Sequence, residues 1–148
     1  MIKYKNILVA TDFSKIAERA AKQANGLATL FGAKLTLLHV VEHFPEDMSE
    51  SAIPPENMDP KKFFSDHAHN KLEKLRSDLV GQHKATLEVI MSSRSAGREI
   101  TEYATQKSID LIVVGTHGQY GFLGMLGSTA NKVTHSATAD VLVVRIKD

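Results

Sequence analysis

Glycine recurs at every third position from Gly115 to Gly127, and this run is the densest chemical signal in the chain. Gly115, Gly118, Gly121, Gly124 and Gly127 are five of its nine glycines. They follow the apolar run Ile109-Asp-Leu-Ile-Val-Val114 and lead into Ser128-Thr-Ala-Asn-Lys-Val133. Glycine is costly to order, and its return is close backbone approach and access to positive φ, which lets successive N–H groups converge on an anion. A strand, a glycine loop and a helix start have the outline of a phosphate cradle. The competing account is a mobile connection in which glycine supplies only slack. No GxxxxGK[ST] aligns here, no lysine lies between Gly115 and Ser128, and no GxGxxG follows the first apolar run. P-loop hydrolysis and dinucleotide redox chemistry are therefore disfavoured.

Asp12 is the second candidate. It ends the run Asn6-Ile-Leu-Val-Ala-Thr-Asp12, where a carboxylate could bond a ribose hydroxyl or, through a metal, a phosphate. It could equally do no more than fix the turn into the next helix. Of the seven histidines, His67 and His69 are two apart on a helix, hence on different faces, unlike metal ligands at i and i+4. His39 reads as a structural histidine in a strand. His117 lies inside the glycine loop, where it meets phosphate or only solvent. No GxSxG elbow presents a serine nucleophile. The hydroxyls of Ser128 and Thr129 open a helix, a place for caps and phosphate ligands. Thr11-Asp-Phe-Ser14 lacks the HxGH signature of adenylyl transfer. No catalytic residue and no metal ligand is assigned.

These residues need elements to hold them. At 148 residues, 43% hydrophobic and 24% charged, the chain suits one domain spanning residues 1–148 with a substantial core. A net charge of +1 gives no footprint for nucleic acid, the apolar runs are too short for a membrane span, and no signal peptide is read. With no cysteine there is no disulfide, thiolate or Cys-based zinc site, and the cytoplasm is the expected compartment. Strands are expected at residues 5–10, 34–41, 86–91, 109–114 and 140–146. Between them lie helices capped by Ser14 and stopped by Gly32, started by Asp59-Pro60, started near Ser95 and running through Tyr103, and running from Ser128 to about Ala137. Residues 42–57 carry three prolines and several acids and read as a long surface loop. Strict alternation of strand and helix implies an α/β fold with a parallel sheet and right-handed crossovers. Ligands of such sheets lie beyond the carboxyl ends of the strands where strand order reverses. In the last strand, Val141, Leu142, Val143 and Val144 leave few polar positions, so neither face reads as solvent-facing. As an edge it invites pairing with another chain; the alternative is an edge covered by a loop.

The chain resembles the universal stress protein (UspA) family over essentially its whole length. The resemblance is carried by Lys5-Asn-Ile-Leu-Val-Ala-Thr-Asp-Phe-Ser14, Leu37-Leu-His-Val40, Asp110-Leu-Ile-Val-Val-Gly-Thr-His-Gly118, Leu126-Gly-Ser128 and Asp140-Val-Leu-Val-Val-Arg145. It implies a doubly wound five-stranded parallel sheet of order 3-2-1-4-5 with helices on both faces, of the adenine nucleotide alpha hydrolase-like kind. It implies ATP in the crevice between strands 1 and 4, with Mg or Mn held through its phosphates. Gly115, Gly118, Gly127 and Ser128 then match the fixed points of the phosphate motif, with Thr129 at the same helix start and His117 within the loop. Asp12 matches the acid near the ribose, and Ala10, Thr11, Val40 and Val114 line the adenine side. Between Gly118 and Gly127 stand eight residues where the motif has nine, and they carry no basic residue, which predicts a looser hold on triphosphate. The family also implies a homodimer through the last strand. The function expected is a stress-response protein switched by ATP; the alternative is a dimeric stress-protective module that binds no nucleotide.

Overall fold

Side chains alternate between two cores along every central strand, and this period of two sets the architecture. The computed structural model describes residues 3–42, 44, 59–81, 84–117 and 126–145. The elements are β1 (Asn6–Ala10), α1 (Lys15–Phe31), β2 (Lys34–Val41), α2 (Pro60–Asp78), β3 (Thr86–Met91), α3 (Ala96–Gln106), β4 (Leu111–Gly115), α4 (Ser128–Ser136) and β5 (Asp140–Val144). All pairings are parallel in the order β3-β2-β1-β4-β5, as the resemblance implies. Most of the expected 42–57 loop, together with Gly118, Gly121, Gly124 and Ile146, lies outside the described residues.

Ile7, Val9, Leu35, Leu37, Leu111 and Val113 face α1 and α2. Their neighbours Leu8, Leu38, Val40, Ile112 and Val114 face α3 and α4. Burial on both faces is what makes these strands read as continuous apolar runs. Helix α1 meets the sheet through Ala20, Ala21, Ala24 and Ala28, small side chains that let the helix lie close to the sheet. Ser14 caps it, its Oγ accepting from the Ala17 N–H at 3.3 Å. At its end Gly32 is left-handed, and the Ala33 N–H reaches back to the Ala28 carbonyl at 2.9 Å, a Schellman closure. Asp59 caps α2, accepting from the Lys61 N–H at 3.1 Å. No helix among the described residues is long and apolar enough to cross a membrane.

Several boundaries differ from expectation by a residue or two. The ladder of β1 opens at Asn6, paired with Lys34; Lys5 stands just outside it, its carbonyl accepting from the Lys34 N–H at 2.9 Å and its N–H donating to the Asp110 carboxylate at 2.9 Å. Strand β4 starts at Leu111 rather than residue 109, since the Ile109 N–H still closes α3 on the Ala104 carbonyl at 2.9 Å. Leu79 leaves α2 in extended conformation yet stays buried in the α1/α2 core. Helix α3 continues past Tyr103 to Gln106, and α4 ends at Ser136.

Asp110 ties the amino ends of three strands together. Its carboxylate accepts from the backbone N–H groups of Lys5 and Asn6, and its carbonyl accepts from the Asp140 N–H at 3.2 Å. Tyr4 adds a bond from its hydroxyl to Asp140 Oδ2 at 2.9 Å. Asp110→Ala is expected to lower stability by roughly 1–3 kcal/mol, read as a lower urea midpoint at constant slope.

Candidate functional site

At the opposite pole, where strand order reverses between β1 and β4, the sheet opens into a crevice of about 600 Å³. Ala10, Thr11 and Asp12 line it from the end of β1, Val40 from β2, and Val114, Gly115 and His117 from β4 and the turn after it. Gly127, Ser128 and Thr129 close it at the start of α4. Every expected site residue among the described ones is therefore brought to one cavity; Gly118 is not among them. Ala17, Glu42, Ala96 and Ile100 join the lining without having been expected.

The universal stress protein family model matches residues 3–145. The chain belongs to the universal stress protein family. Universal stress protein A homolog 1 of Coxiella burnetii is 33% identical over 98% of this chain and 99% of the relative. The structure of universal stress protein UspA from Lactobacillus plantarum superposes with a TM-score of 0.75 at 29% identity, covering 98% of this chain and 100% of that one. A universal stress protein from Archaeoglobus fulgidus, solved in complex with dAMP, shares the fold at 20% identity with a TM-score of 0.64, covering 97% and 99% of the two chains.

In this family member the α4 side of the crevice is formed by a helix start behind a glycine. A helix start leaves four N–H groups without intrahelical acceptors. That of Gly127 goes to the Thr116 carbonyl at 2.6 Å. Those of Ser128, Thr129 and Ala130 belong to residues lining the crevice, and the N-cap, Gly127, has no side chain with which to cap α4. Gly127 has a packing reason to be glycine: a Cβ there would lie 2.9 Å from His117 Cα, pushing the turn after β4 away from α4. Gly115 has a different one. A Cβ there would press on the Ile16 side chain of α1 at 3.1 Å, so this glycine serves helix docking, a role its place in the glycine run did not announce. Thr116 is a buried polar node: its N–H donates to the Val144 carbonyl at 2.9 Å, and its Oγ1 lies 3.1 Å from His117 Nδ1.

The other wall is a turn held from behind. Thr11 Oγ1 accepts from the Phe13 N–H and Asp12 Oδ1 from the Ser14 N–H, both at 3.0 Å. Asp12 thus does fix the turn into α1 while also lining the crevice. Phe13 sits at φ 65°, a left-handed conformation that costs a non-glycine residue roughly 1–2 kcal/mol. Its ring packs on His39 at 4.7 Å between centroids, with Lys71 Nζ 5.2 Å from its centre. His39 Nδ1 donates to the Thr11 carbonyl at 2.7 Å, which makes it the structural histidine expected. Glu42 reaches across the crevice mouth, its Oε2 accepting from the Ala96 N–H at 2.9 Å. It caps α3 where Ser95 does not.

Burial pushes the His39 imidazole below its ordinary range; the Thr11 carbonyl, Asp12 and Glu42 oppose this and Lys71 reinforces it. The native state therefore takes up this proton less readily than the unfolded chain does. This contribution to stability is complete above the unfolded value of 6.5 and is lost as pH falls through it. Urea midpoints are expected to drop between about pH 7.5 and pH 5. His39→Asn keeps an N–H for Thr11 but cannot be protonated, so its profile is flatter; equal slopes would remove His39 as the source.

Proposed function

We propose that the crevice binds an adenine nucleotide and that its occupancy switches this universal stress protein between two states. The observation that carries this is that the first-turn residues of α4, which follow an N-cap glycine with no side chain to cap them, line the same cavity as Asp12 at the β1/β4 reversal point. Converging N–H donors and the positive end of the helix dipole suit phosphate. Ala10, Thr11, Val40 and Val114 offer the base a mainly apolar slot, Asp12 lies where a ribose would, and Gly115, His117, Gly127, Ser128 and Thr129 border the phosphates. The Archaeoglobus fulgidus protein of the same fold, solved with dAMP, supports the ligand class. ATP is the fullest ligand of that class. No cluster of three or more His, Cys, Asp or Glu able to hold a metal occurs among the described residues, so Mg or Mn would depend on the phosphates for its ligands, with Asp12 as the carboxylate at hand. The proposal is one of binding, with at most slow hydrolysis.

Isothermal calorimetry on the full chain is expected to show one site for AMP and for ATP with magnesium. No heat at high micromolar concentration of either would overturn the proposal. Asp12→Asn keeps the Oδ1 acceptor for Ser14 but loses the carboxylate, and should weaken AMP about tenfold (about 1.4 kcal/mol) with little change in melting.

A homodimer through β5 is proposed as well. Among the described residues β5 has a sheet neighbour on one side only. Val141 and Val143 pack towards α3 and α4; on the other face Val144 is buried in the α1/α2 core but Leu142 is 36% exposed, so a face that read as covered is open at Leu142 in the single chain. An unpaired edge with an exposed leucine suits antiparallel pairing about a two-fold axis. Leu142→Glu is expected to give monomers in sedimentation velocity; an unchanged dimer would exclude this strand.

A further inference from the structure

We infer that the crevice selects adenine nucleotides by charge, taking the monophosphate in preference to metal-free triphosphate; this rests on the nucleotide proposal above. The lining includes two carboxylates, Asp12 and Glu42, and two histidines, but among the described residues no lysine or arginine. His39 does not make up the deficit. Its Nδ1 is committed to the Thr11 carbonyl, and burial holds the ring towards its neutral form. Lys71 sits over the Phe13 ring, near enough to His39 to act on its charge, and is not part of the lining.

The two longer segments outside the described residues supply no lysine or arginine either. Residues 118–125 contain no charged side chain, and residues 45–58 contain four acids, Glu46, Asp47, Glu50 and Glu56, with no lysine or arginine. Whatever course those segments take, they bring no lysine or arginine to the crevice.

What remains for an anion is the start of α4. Three N–H groups, those of Ser128, Thr129 and Ala130, and about half a positive charge from the helix dipole match the three outer oxygens and the charge of about −1.5 to −2 of one phosphate monoester. Each further phosphoryl group adds negative charge beside Asp12 and Glu42 without adding a donor. Sites that hold a triphosphate counter that charge with lysine, arginine or a divalent ion. The described lining offers no such side chain, which leaves the ion, and it has to arrive with the ligand.

Calorimetry on the full chain with adenosine, AMP, ADP and ATP, first in EDTA and then in magnesium, tests this. In EDTA, AMP is expected to bind at least about tenfold tighter than ATP (about 1.4 kcal/mol), with ADP between them. Magnesium should raise ATP affinity by a larger factor than AMP affinity. His117→Arg supplies the missing permanent cation and should close most of the AMP–ATP gap in EDTA. Glu42→Gln keeps an acceptor for the Ala96 N–H and should narrow the gap as well. ATP binding as tightly as AMP in EDTA would overturn the charge inference while leaving nucleotide binding intact, as would a gap that neither variant moves. Absence of binding by every adenine compound in both buffers would instead overturn the nucleotide proposal itself.

Discussion

The pairing of β1 with β4 is the constraint on which the rest of the molecule depends. β1 is followed by α1 on one face of the sheet and β4 leads towards α4 on the other, so the chain leaves the two neighbouring strands in opposite directions. Their carboxyl ends cannot both be covered, and a crevice follows from topology before any side chain is chosen. Asp110 makes the asymmetry sharper. By holding Lys5, Asn6 and Asp140 at the amino ends, it closes one pole of the sheet and leaves the other to be shaped by turns.

Those turns are held by unlike means. On the β1 side, a left-handed phenylalanine is kept in place by its contacts with His39 and Lys71, while Thr11 and Asp12 each use a side-chain oxygen to fold the backbone over. A position that serves both turn and cavity gives Asp12 a fixed direction, which a freely rotating surface acid would lack. On the β4 side the work falls to Thr116 and to the absence of a side chain at Gly127.

Much of this is legible in the sequence, and the limits have physical causes. Ser14, Gly32 and Asp59 are readable because a cap acts within four residues of itself. The strands are readable because burial on both faces leaves runs such as Leu8-Val9 and Ile112-Val113 without polar interruption. The Glu42 cap on Ala96 is not readable, since 54 residues separate the partners and only the β2–β3 pairing brings them together. Ser95 had the right type and position for that cap, yet the acceptor comes from elsewhere. Gly115 was visible as a glycine but not as a docking point for Ile16, because a glycine in a run carries no mark of which neighbour requires it. The faces of β5 illustrate a further limit: an apolar strand at an edge and one in the interior have the same composition, and strand order alone separates them.

An occupied crevice would have a short physical route to that edge. Helix α4 has nine residues, fewer than an isolated helix needs to persist in water, so it depends on packing through Ala130 and Val133 and on whatever satisfies its first turn. A ligand that binds the folded first turn but not a frayed one stabilises it by mass action. The N-cap of α4 is bonded to the Thr116 carbonyl, and the Thr116 N–H is bonded to Val144 at the end of β5. Helix start, buried threonine and edge strand are thus joined by consecutive backbone bonds. Contiguity of this kind does not by itself make a switch. It does specify what a switch here would have to be: a first turn of α4 with two states, ordered and frayed, whose difference reaches the edge of β5 through Thr116.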